Sequence, residues 1–346
     1  MNQYCEKRPI LIIDGFNYFI RHFMVNESMT NTSELCGGVV GFLKGLYGLT
    51  SKFSPSKIFV VWEQGGGSPR RKKIFPAYKE NRIKVKSEFK AIGLPENALP
   101  SKQWIKEDKE NKLKQIKTLV DCLKHTPVCQ IYVADTEADD IISYIVRHYL
   151  KEEECLKIIV SSDRDFYQLL DIPNVKIFNP ADKSFHDGPI VRVKTGKDTY
   201  ADVPANNYAL LRSLTGDDSD NIPGVPGMGF KTALKLFPGI SVPGTDETIN
   251  YIIETARSHL NEKKPLKVYK AVVECEEVIK RNWDLMYLHS SSLAPTQISK
   301  INYSIEQFVP KMNKLQLIKT MLNAGIVSDL NYDNFCYQMQ ICLVNQ

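Results

Sequence analysis

The sequence predicts an α/β domain with a mostly parallel β-sheet flanked by helices, followed by a mainly helical C-terminal domain. Up to about residue 200, short β-branched apolar runs alternate with helical patterns, which is the order typical of a parallel sheet. Beyond that point the strand-like runs fade, and helical patterns separated by proline and glycine dominate. A chain of 346 residues is long enough for two domains. We expect them at residues 1–200 and 201–346.

The elements of the first domain follow from their apolar patterns. Four buried strands are predicted at Ile10–Ile13, Ile58–Trp62, Gln130–Val133 and Ile158–Val160. Helices are predicted between and after them at Val39–Leu49, Asn111–Leu123 and Thr136–Tyr149. The segment from about residue 65 to 125 opens with a glycine triplet and a basic run that lack a core-facing pattern. We expect it to form a large insertion over one edge of the sheet.

The composition excludes several classes of protein. Hydrophobic residues make up 43% and charged residues 25% of the chain, as in ordinary globular proteins. No apolar run approaches the ~20 residues that span a bilayer, and the N-terminus lacks the apolar stretch of a signal peptide. The eight cysteines form no CxxC pair and no zinc spacing. We therefore expect reduced thiols in a cytoplasmic protein that has no contact with a membrane.

The positive charge is concentrated in one stretch. The net charge of the chain is only +5, but residues 69–90 contain nine Lys or Arg against two Glu, a local balance of +7. A solvated loop or helix face is one interpretation of such a run. A polyanion-binding element is the other, and its neighbours decide between them.

Acidic residues follow each of the four predicted strands. They are Asp14 after the first strand, Glu63 after the second, Glu137, Asp139 and Asp140 after the third, and Asp163 and Asp165 after the fourth. Taken singly, each could be a turn residue or a helix cap. The carboxyl ends of parallel strands, however, converge on one crevice. So many carboxylates cannot be ionised together without a cation, and an all-oxygen ligand set suits Mg²⁺ or Mn²⁺.

A second acidic group precedes a glycine-rich turn. Asp217 and Asp220 lie just before the turn of residues 222–229, which opens into a predicted helix at Lys231 and Thr232. Backbone N–H groups in such a turn can bind a phosphate. The spacing of the turn's glycines imitates a P-loop, but Phe230 occupies the lysine position and no strand precedes the turn. An NTPase is therefore disfavoured.

Five motifs, in the same order along the chain, resemble those of the 5′ nucleases. These are the 5′–3′ exonucleases and flap endonucleases of bacteriophages and of the N-terminus of bacterial DNA polymerase I. The motifs are Ile13-Asp14-Gly15, Tyr78-Lys79-Glu80-Asn81-Arg82, Glu137-Ala138-Asp139-Asp140, Ser162-Asp163-Arg164-Asp165 and the run from Gly216 to Val225. The resemblance extends from residue 10 to about residue 235, and no motif is recognised beyond residue 240.

The resemblance implies a fold and an activity. The fold would be a PIN-like 5′ nuclease core with a helical arch at about 65–125 and a helix–three-turn–helix element at about 205–240. The activity would be hydrolysis of DNA at free 5′ ends, flaps and forks, and of RNA primers in hybrids, during replication. It would use two Mg²⁺ ions, with Mn²⁺ as a substitute and K⁺ possible at the Gly224–Gly229 hairpin. A monomer in the cytoplasm, or in the host cytoplasm if phage-encoded, would be expected, with a single-strand-binding protein as a possible replication partner.

The resemblance also implies roles for individual residues. Metal ligands would be Asp14, Glu137, Asp139, Asp163 and Asp165, with Asp140 close by, and Asp217 and Asp220 would complete the second metal site. Lys79 and Arg82 would contact the scissile phosphate at the base of the arch. The resemblance also implies DNA contacts from Arg21, Tyr78 and the hairpin that contains Gly224, Gly227 and Gly229. From their charge and position alone, we expect further contacts to the DNA backbone from the basic run Arg70, Arg71, Lys72 and Lys73, and from Lys231 and Thr232 at the start of the predicted helix.

Glu63 departs from the family's pattern, because the second strand of the family usually ends in Asp, and glutamate ligates over a longer reach, directly or through water. Two alternatives stay open. The first is a non-catalytic protein that binds branched DNA with a decayed site, for which Glu63 is the only hint. The second, which does not depend on Glu63, is a nuclease of the same fold that acts on RNA.

Overall fold

The computed structural model describes residues 7–63, 68–83, 102–243 and 248–343. Its centre is a six-stranded sheet with the strand order β3-β2-β1-β4-β5-β6, parallel except for the last strand. The strands are β1 Ile10–Asp14, β2 Lys57–Trp62, β3 Val128–Tyr132, β4 Lys157–Val160, β5 Val175–Asn179 and β6 Ser184–Asp187. The predicted mostly parallel sheet is confirmed, and β5 and β6 extend it beyond the four predicted strands.

Helices follow or precede the strands throughout the described chain. In the first part they are α1 Gly15–Val25, α2 Gly37–Phe53, α3 Pro69–Ile74, α4 Lys102–Leu123 and α5 Ala138–Tyr144, which continues as a π-helical turn at Ile145–Tyr149. In the second part they are α6 Ala205–Thr215, α7 Phe230–Leu236, α8 Ile249–Leu260, α9 Lys267–Glu274, α10 Glu276–Met286, α11 Pro295–Glu306, α12 Lys314–Asn323 and α13 Tyr332–Ile341.

Short elements complete the described chain. Two antiparallel pairs lie outside the main sheet: β7 Ile190–Lys194 with β8 Tyr200–Pro204, and β9 Gly216–Asp217 with β10 Ile222–Pro223. Single 3₁₀ turns occur at Glu80–Ile83, Arg164–Leu169, Asp218–Asp220, Pro238–Ser241 and Ser290–Ser292. Residues 84–101, at the centre of the predicted arch, and the glycine triplet at 65–67 lie outside the described residues.

Alternating side chains of the buried strands build a core on each face of the sheet. Ile10 and Ile12 of β1 belong to one core, and Leu11 and Ile13 to the other, because successive side chains of a strand point to opposite faces. Helices α5 to α11 contribute to the first core, whereas α1, α2, α4, α12 and α13 contribute to the second. The helices beyond residue 205 thus pack on both faces. The division into two domains near residue 200 stays a prediction.

The turn from β1 into α1 requires glycine. A Cβ atom added at Gly15 would lie 2.8 Å from both the Trp62 ring and the Val61 carbonyl oxygen of the neighbouring strand. The missing side chain lets α1 begin directly at the end of the sheet, with Asp14 as its N-cap. This close approach places the Asp14 carboxylate at the carboxyl edge of the sheet.

The seven cysteines among the described residues carry free thiols. No helix in the described part of the chain is long and apolar enough to cross a membrane.

Candidate active site

Carboxylates from four strand ends meet at one edge of the sheet. Asp14 Oδ2 accepts a hydrogen bond of 3.2 Å from the Ser161 hydroxyl, which follows β4, so the ends of β1 and β4 are joined. Glu63 Oε2 accepts from the Ala138 backbone N–H at 3.4 Å, which joins the end of β2 to the start of α5. Half-buried Glu63 therefore lies at the same edge as the other predicted ligands.

The acidic side chains are close enough to perturb one another. Burial raises the pKa of Asp14 to about 8, and the nearby charges of Glu63 and Asp163 add to the shift. Burial likewise raises the pKa of Asp165 to about 8, and the charges of Asp163, Asp217 and Asp220 raise it further. Asp217 and Asp220 belong to the short hairpin formed by β9 and β10, called the β9–β10 hairpin below. The carboxylates after the strands and those of the β9–β10 hairpin thus form one electrostatic group.

Arg71 is a buried counter-ion of this group. Its side chain is 1% exposed, and its Nη1 lies 3.1 Å from Glu137 and 3.3 Å from Asp139. Both terminal nitrogens bind Asp140, at 2.8 and 3.1 Å, and Nε donates to the Leu285 carbonyl at 2.8 Å. Arg71 was predicted to bind DNA, but here it has no free surface, because the carboxylates of α5 take up its donors.

Lys79 lies between Glu137, one of the carboxylates that follow the strands, and Asp220 of the β9–β10 hairpin. Its ammonium contacts Glu137 Oε2 and is 4.0 Å from Asp220 Oδ2, and its backbone N–H donates to the Asp220 carbonyl at 2.9 Å. Burial would raise the pKa of Glu137, but Arg71 and Lys79 together hold it well below its usual range. In this structure Lys79 is thus a counter-ion of the carboxylates.

Tyr78 is buried beside Lys79. Its hydroxyl lies 3.1 Å from Glu137 and 3.2 Å from Asp220. Its ring packs in a small apolar cluster with Ile222 and Leu285. Tyr78 was predicted to contact DNA, but in this structure its ring is buried and presents no open face to solvent.

Arg212 is a site residue that the sequence analysis did not find. It lies in the last turn of α6, and its guanidinium contacts Asp217 Oδ2, with Nε 3.5 Å from Asp165 Oδ1. It therefore joins the hairpin to the turn after β4. A single arginine near the end of a helix is an ordinary feature of a sequence, so nothing in the pattern marked it.

The other predicted DNA contacts lie nearer the surface. Arg70, Lys72 and Lys73 are exposed on α3, and exposed Arg21 donates to the Ala181 carbonyl at 3.0 Å. The hairpin residues Gly227, Gly229 and Lys231 are exposed, whereas Gly224 and Thr232 are half-buried. Arg82 lies in a 3₁₀ turn, and its side chain is outside the described residues.

The carboxylates of the site are suitable ligands for divalent metal ions, but in this structure they are paired with basic side chains. The predicted ligands supply only carboxylate oxygens, which hard cations prefer. Among the described residues, no three acidic, histidine or cysteine side chains surround a common point closely enough to hold a metal. Arg71, Lys79 and Arg212 form ion pairs with these carboxylates. A bound metal would replace part of that positive charge.

We predict that the buried Arg71 side chain stabilises the folded protein strongly and that the exposed side chain of its neighbour Arg70 does not. Arg71→Met should lower the free energy of unfolding by about 3–5 kcal/mol, because it leaves buried carboxylates without a counter-ion. Urea unfolding in EDTA would measure the change. The matched control is Arg70→Met, which removes only an exposed side chain with one weak bond, 3.4 Å long, to the Asp284 carbonyl. Equal losses in the two variants would contradict this assignment.

We also predict a pH dependence that a divalent metal suppresses. The folded protein holds protons on Asp14 and Asp165 up to about pH 8, whereas the unfolded chain releases them near pH 4. Between pH 6.5 and 8 the folded state thus binds more protons, so its stability in EDTA should fall as the pH rises. The slope approaches about 1.4 kcal/mol per pH unit for each protonated group.

Urea unfolding at both pH values, in EDTA and in Mg²⁺, would measure this slope. Asp14→Asn should reduce the decline in EDTA, and Asp202→Asn, at an exposed position, should leave it unchanged. Mg²⁺ should flatten the decline, because it binds the ionised carboxylates. A slope that is the same with and without metal would contradict the prediction.

The chain is similar to known proteins over most of its length. Residues 9–196 match the family model described as the 5′–3′ exonuclease N-terminal resolvase-like domain. A 5′–3′ exonuclease from Buchnera aphidicola subsp. Schizaphis graminum is 30% identical over 239 residues, which cover 69% of this chain and 72% of that protein. A 5′–3′ exonuclease from Halalkalibacterium halodurans is 27% identical over 328 residues and covers 92% of this chain and 94% of its own length.

The fold is also found in solved structures. A complex of the bacteriophage T5 flap endonuclease with DNA and metal ions superposes with a TM-score of 0.59 at 20% sequence identity. The match covers 92% of this chain and 98% of that chain. The similarity extends from the sheet into the C-terminal helices. With the acidic edge of the sheet and the matched domain together, this chain belongs to the 5′–3′ exonuclease family of 5′ nucleases.

Proposed function

We propose that the protein is a structure-selective 5′ nuclease that hydrolyses DNA at 5′ ends and flaps with two divalent metal ions. The observation that carries the proposal is the single group of carboxylates in which strand-end residues and the hairpin pair perturb one another. Asp163 illustrates it, because burial raises its pKa and the charges of Asp139 and Asp220 raise it further. A site so rich in negative charge is suited to divalent cations.

The metal ligands in this proposal come from both parts of the chain. The acidic residues after the strands would hold the first ion, and Asp217 and Asp220 would complete the second site. Mg²⁺ is the expected ion and Mn²⁺ its substitute, with K⁺ as a further candidate at the Gly224–Gly229 hairpin. Two such ions, when bound, lower the pKa of a water and stabilise charge on the attacking and leaving oxygens of a phosphodiester.

Lys79 has two roles in the proposal. Without metal it neutralises Glu137, as the structure has it. With metal and DNA it would leave Glu137 and, together with Arg82, stabilise the charge that grows on the scissile phosphate. The backbone of Lys79 is left-handed, with φ of 57°, a conformation that costs a non-glycine residue about 1–2 kcal/mol. Its contacts to Glu137 and Asp220 offset that cost, so their replacement by metal favours movement of the segment.

The basic helix α3 provides a path for the DNA strand. Arg71 anchors it to α5 from within, which leaves Arg70, Lys72 and Lys73 exposed beside the carboxylates. These side chains would contact phosphates and offset the repulsion between DNA and the acidic site. The exposed residues of the Gly224–Gly229 hairpin would bind the phosphate backbone of the duplex. Because such contacts carry little base information, we expect selectivity for structure and little preference for sequence.

The substrates follow from this arrangement and from the family. DNA with a free 5′ end, a flap or a fork is the proposed substrate, and RNA primers in hybrids are further candidates. The bacteriophage T5 structure contains DNA and metal ions, which supports both parts of the proposal. Primer removal during replication is the setting we propose, with a single-strand-binding protein as a partner of the otherwise monomeric enzyme.

The test is cleavage of a 5′-flap duplex labelled on the flap strand. We predict release of short 5′ fragments in Mg²⁺, none in EDTA, and a loss of at least 100-fold in Asp163→Ala/Asp165→Ala, in line with the loss of preorganised charge at a catalytic site. The control Asp198→Ala/Asp202→Ala changes two exposed aspartates and should cleave normally. An RNA flap strand, run in parallel, measures the preference between DNA and RNA.

Two outcomes would overturn the proposal in different ways. Tight flap binding without cleavage in Mg²⁺ or Mn²⁺ would identify a non-catalytic protein that binds branched DNA. Cleavage of the RNA flap alone would identify an RNA-directed nuclease.

A further inference from the structure

A lysine-rich segment that runs from the end of α8 into the first half of α9 has no part in the site described above. It comprises residues 261–270, in which four lysines stand against one acidic residue. The lysines are Lys263, Lys264, Lys267 and Lys270, and all four are exposed. The segment lies in the part of the chain for which no motif was recognised.

The segment lies directly beside the glycine hairpin. A Cβ atom added at exposed Gly227 would lie 3.8 Å from Val268 Cγ2, the second residue of α9. The buried ring of Tyr269 fixes the segment to the rest of the domain. Its centroid lies 6.1 Å from that of Phe237, in an edge-to-face contact, and 4.5 Å from that of His259, on which it stacks. The lysines are therefore carried on a backbone that is packed against the hairpin and the end of α7.

The lysines are available to a ligand. Lys270 pairs with Glu274 at 3.5 Å, and Glu262 pairs with His259. Lys263, Lys264 and Lys267 form no ion pair with any residue in the described ranges. On the hairpin side, α7 adds exposed Lys231 and Lys235. The result is an uncompensated positive surface that continues from the hairpin to the start of α9.

We propose that Lys263, Lys264 and Lys267 extend the hairpin into a longer binding surface for the phosphate backbone of duplex DNA. The inference rests on the proposed function and adds to it a role for residues beyond the recognised motifs. Flexible ammonium groups suit phosphates as point charges. Within residues 261–270 the single aromatic ring, Tyr269, is buried, so this segment offers no platform on which an unpaired base could stack. This favours duplex over single-stranded DNA.

The test is the salt dependence of duplex binding in EDTA, where no cleavage occurs. Fluorescence anisotropy with a labelled blunt duplex would give log K against log[KCl] for the wild type and for Lys263→Gln/Lys264→Gln/Lys267→Gln. We expect weaker binding and a slope smaller in magnitude by about 2.7, since each lost phosphate contact on B-DNA contributes about 0.9. Labelled single-stranded DNA should show a clearly smaller change.

A matched triple variant controls for net charge. Lys151→Gln/Lys311→Gln/Lys319→Gln removes three exposed lysines elsewhere on the molecule and should keep the wild-type slope. Equal urea midpoints would show that all the proteins are folded. An unchanged slope in the first variant, or equal changes in both triple variants, would overturn the inference, as would an equal effect on single-stranded DNA. Because binding is measured without metal, these results are independent of whether the protein cleaves flaps.

Discussion

The structure depends on balancing the negative charge that the fold gathers at one edge of its sheet. Parallel strands bring their carboxyl ends together, and here each of the first four strands is followed by acidic residues. Buried carboxylates at such distances repel unless a cation lies among them. In the protein without metal, that cation is supplied by Arg71, Lys79 and Arg212. Arg71 and Lys79 are distant in sequence from Glu137, and Arg212 links Asp165, far away in sequence, to nearby Asp217.

This balance also assembles the surfaces proposed to bind DNA. Arg71 fixes the basic helix α3 to α5 and, through the Leu285 carbonyl, to the end of α10. The backbone N–H of Lys79 fixes the neighbouring 3₁₀ turn to the β9–β10 hairpin, because it donates to the Asp220 carbonyl. Arg212 joins the same hairpin, through Asp217, to Asp165 in the turn after β4. The elements on either side of the site are therefore held together by contacts of these three residues. If a metal binds the carboxylates, as proposed, it would replace part of the positive charge, and its binding would be coupled to the positions of these elements.

The sequence predicted this arrangement where local patterns carry the information. The strands β1 to β4 are mostly apolar and rich in β-branched residues, and the acidic residues after them are expected to meet if the sheet is parallel. The strands β5 and β6 are as long as some of the predicted strands, but they were not predicted because polar residues such as Lys176 and His186 interrupt their apolar pattern. Arg71 looks like its exposed neighbours in a basic run, and only the tertiary fold reveals that it is buried. Arg212 likewise becomes recognisable only once α6 brings it between Asp165 and Asp217.

Calorimetric titration of Mn²⁺ into the protein without DNA would show whether Lys79 and metal share the same carboxylates. We expect the wild-type protein to bind Mn²⁺ and Lys79→Met to bind it more tightly, because no ammonium then competes for Glu137. Lys72→Met, which removes an exposed lysine from the nearby helix α3, should bind as the wild type does. Equal or weaker Mn²⁺ binding by Lys79→Met, or no binding by the wild type, would show that Lys79 does not compete with metal for these carboxylates.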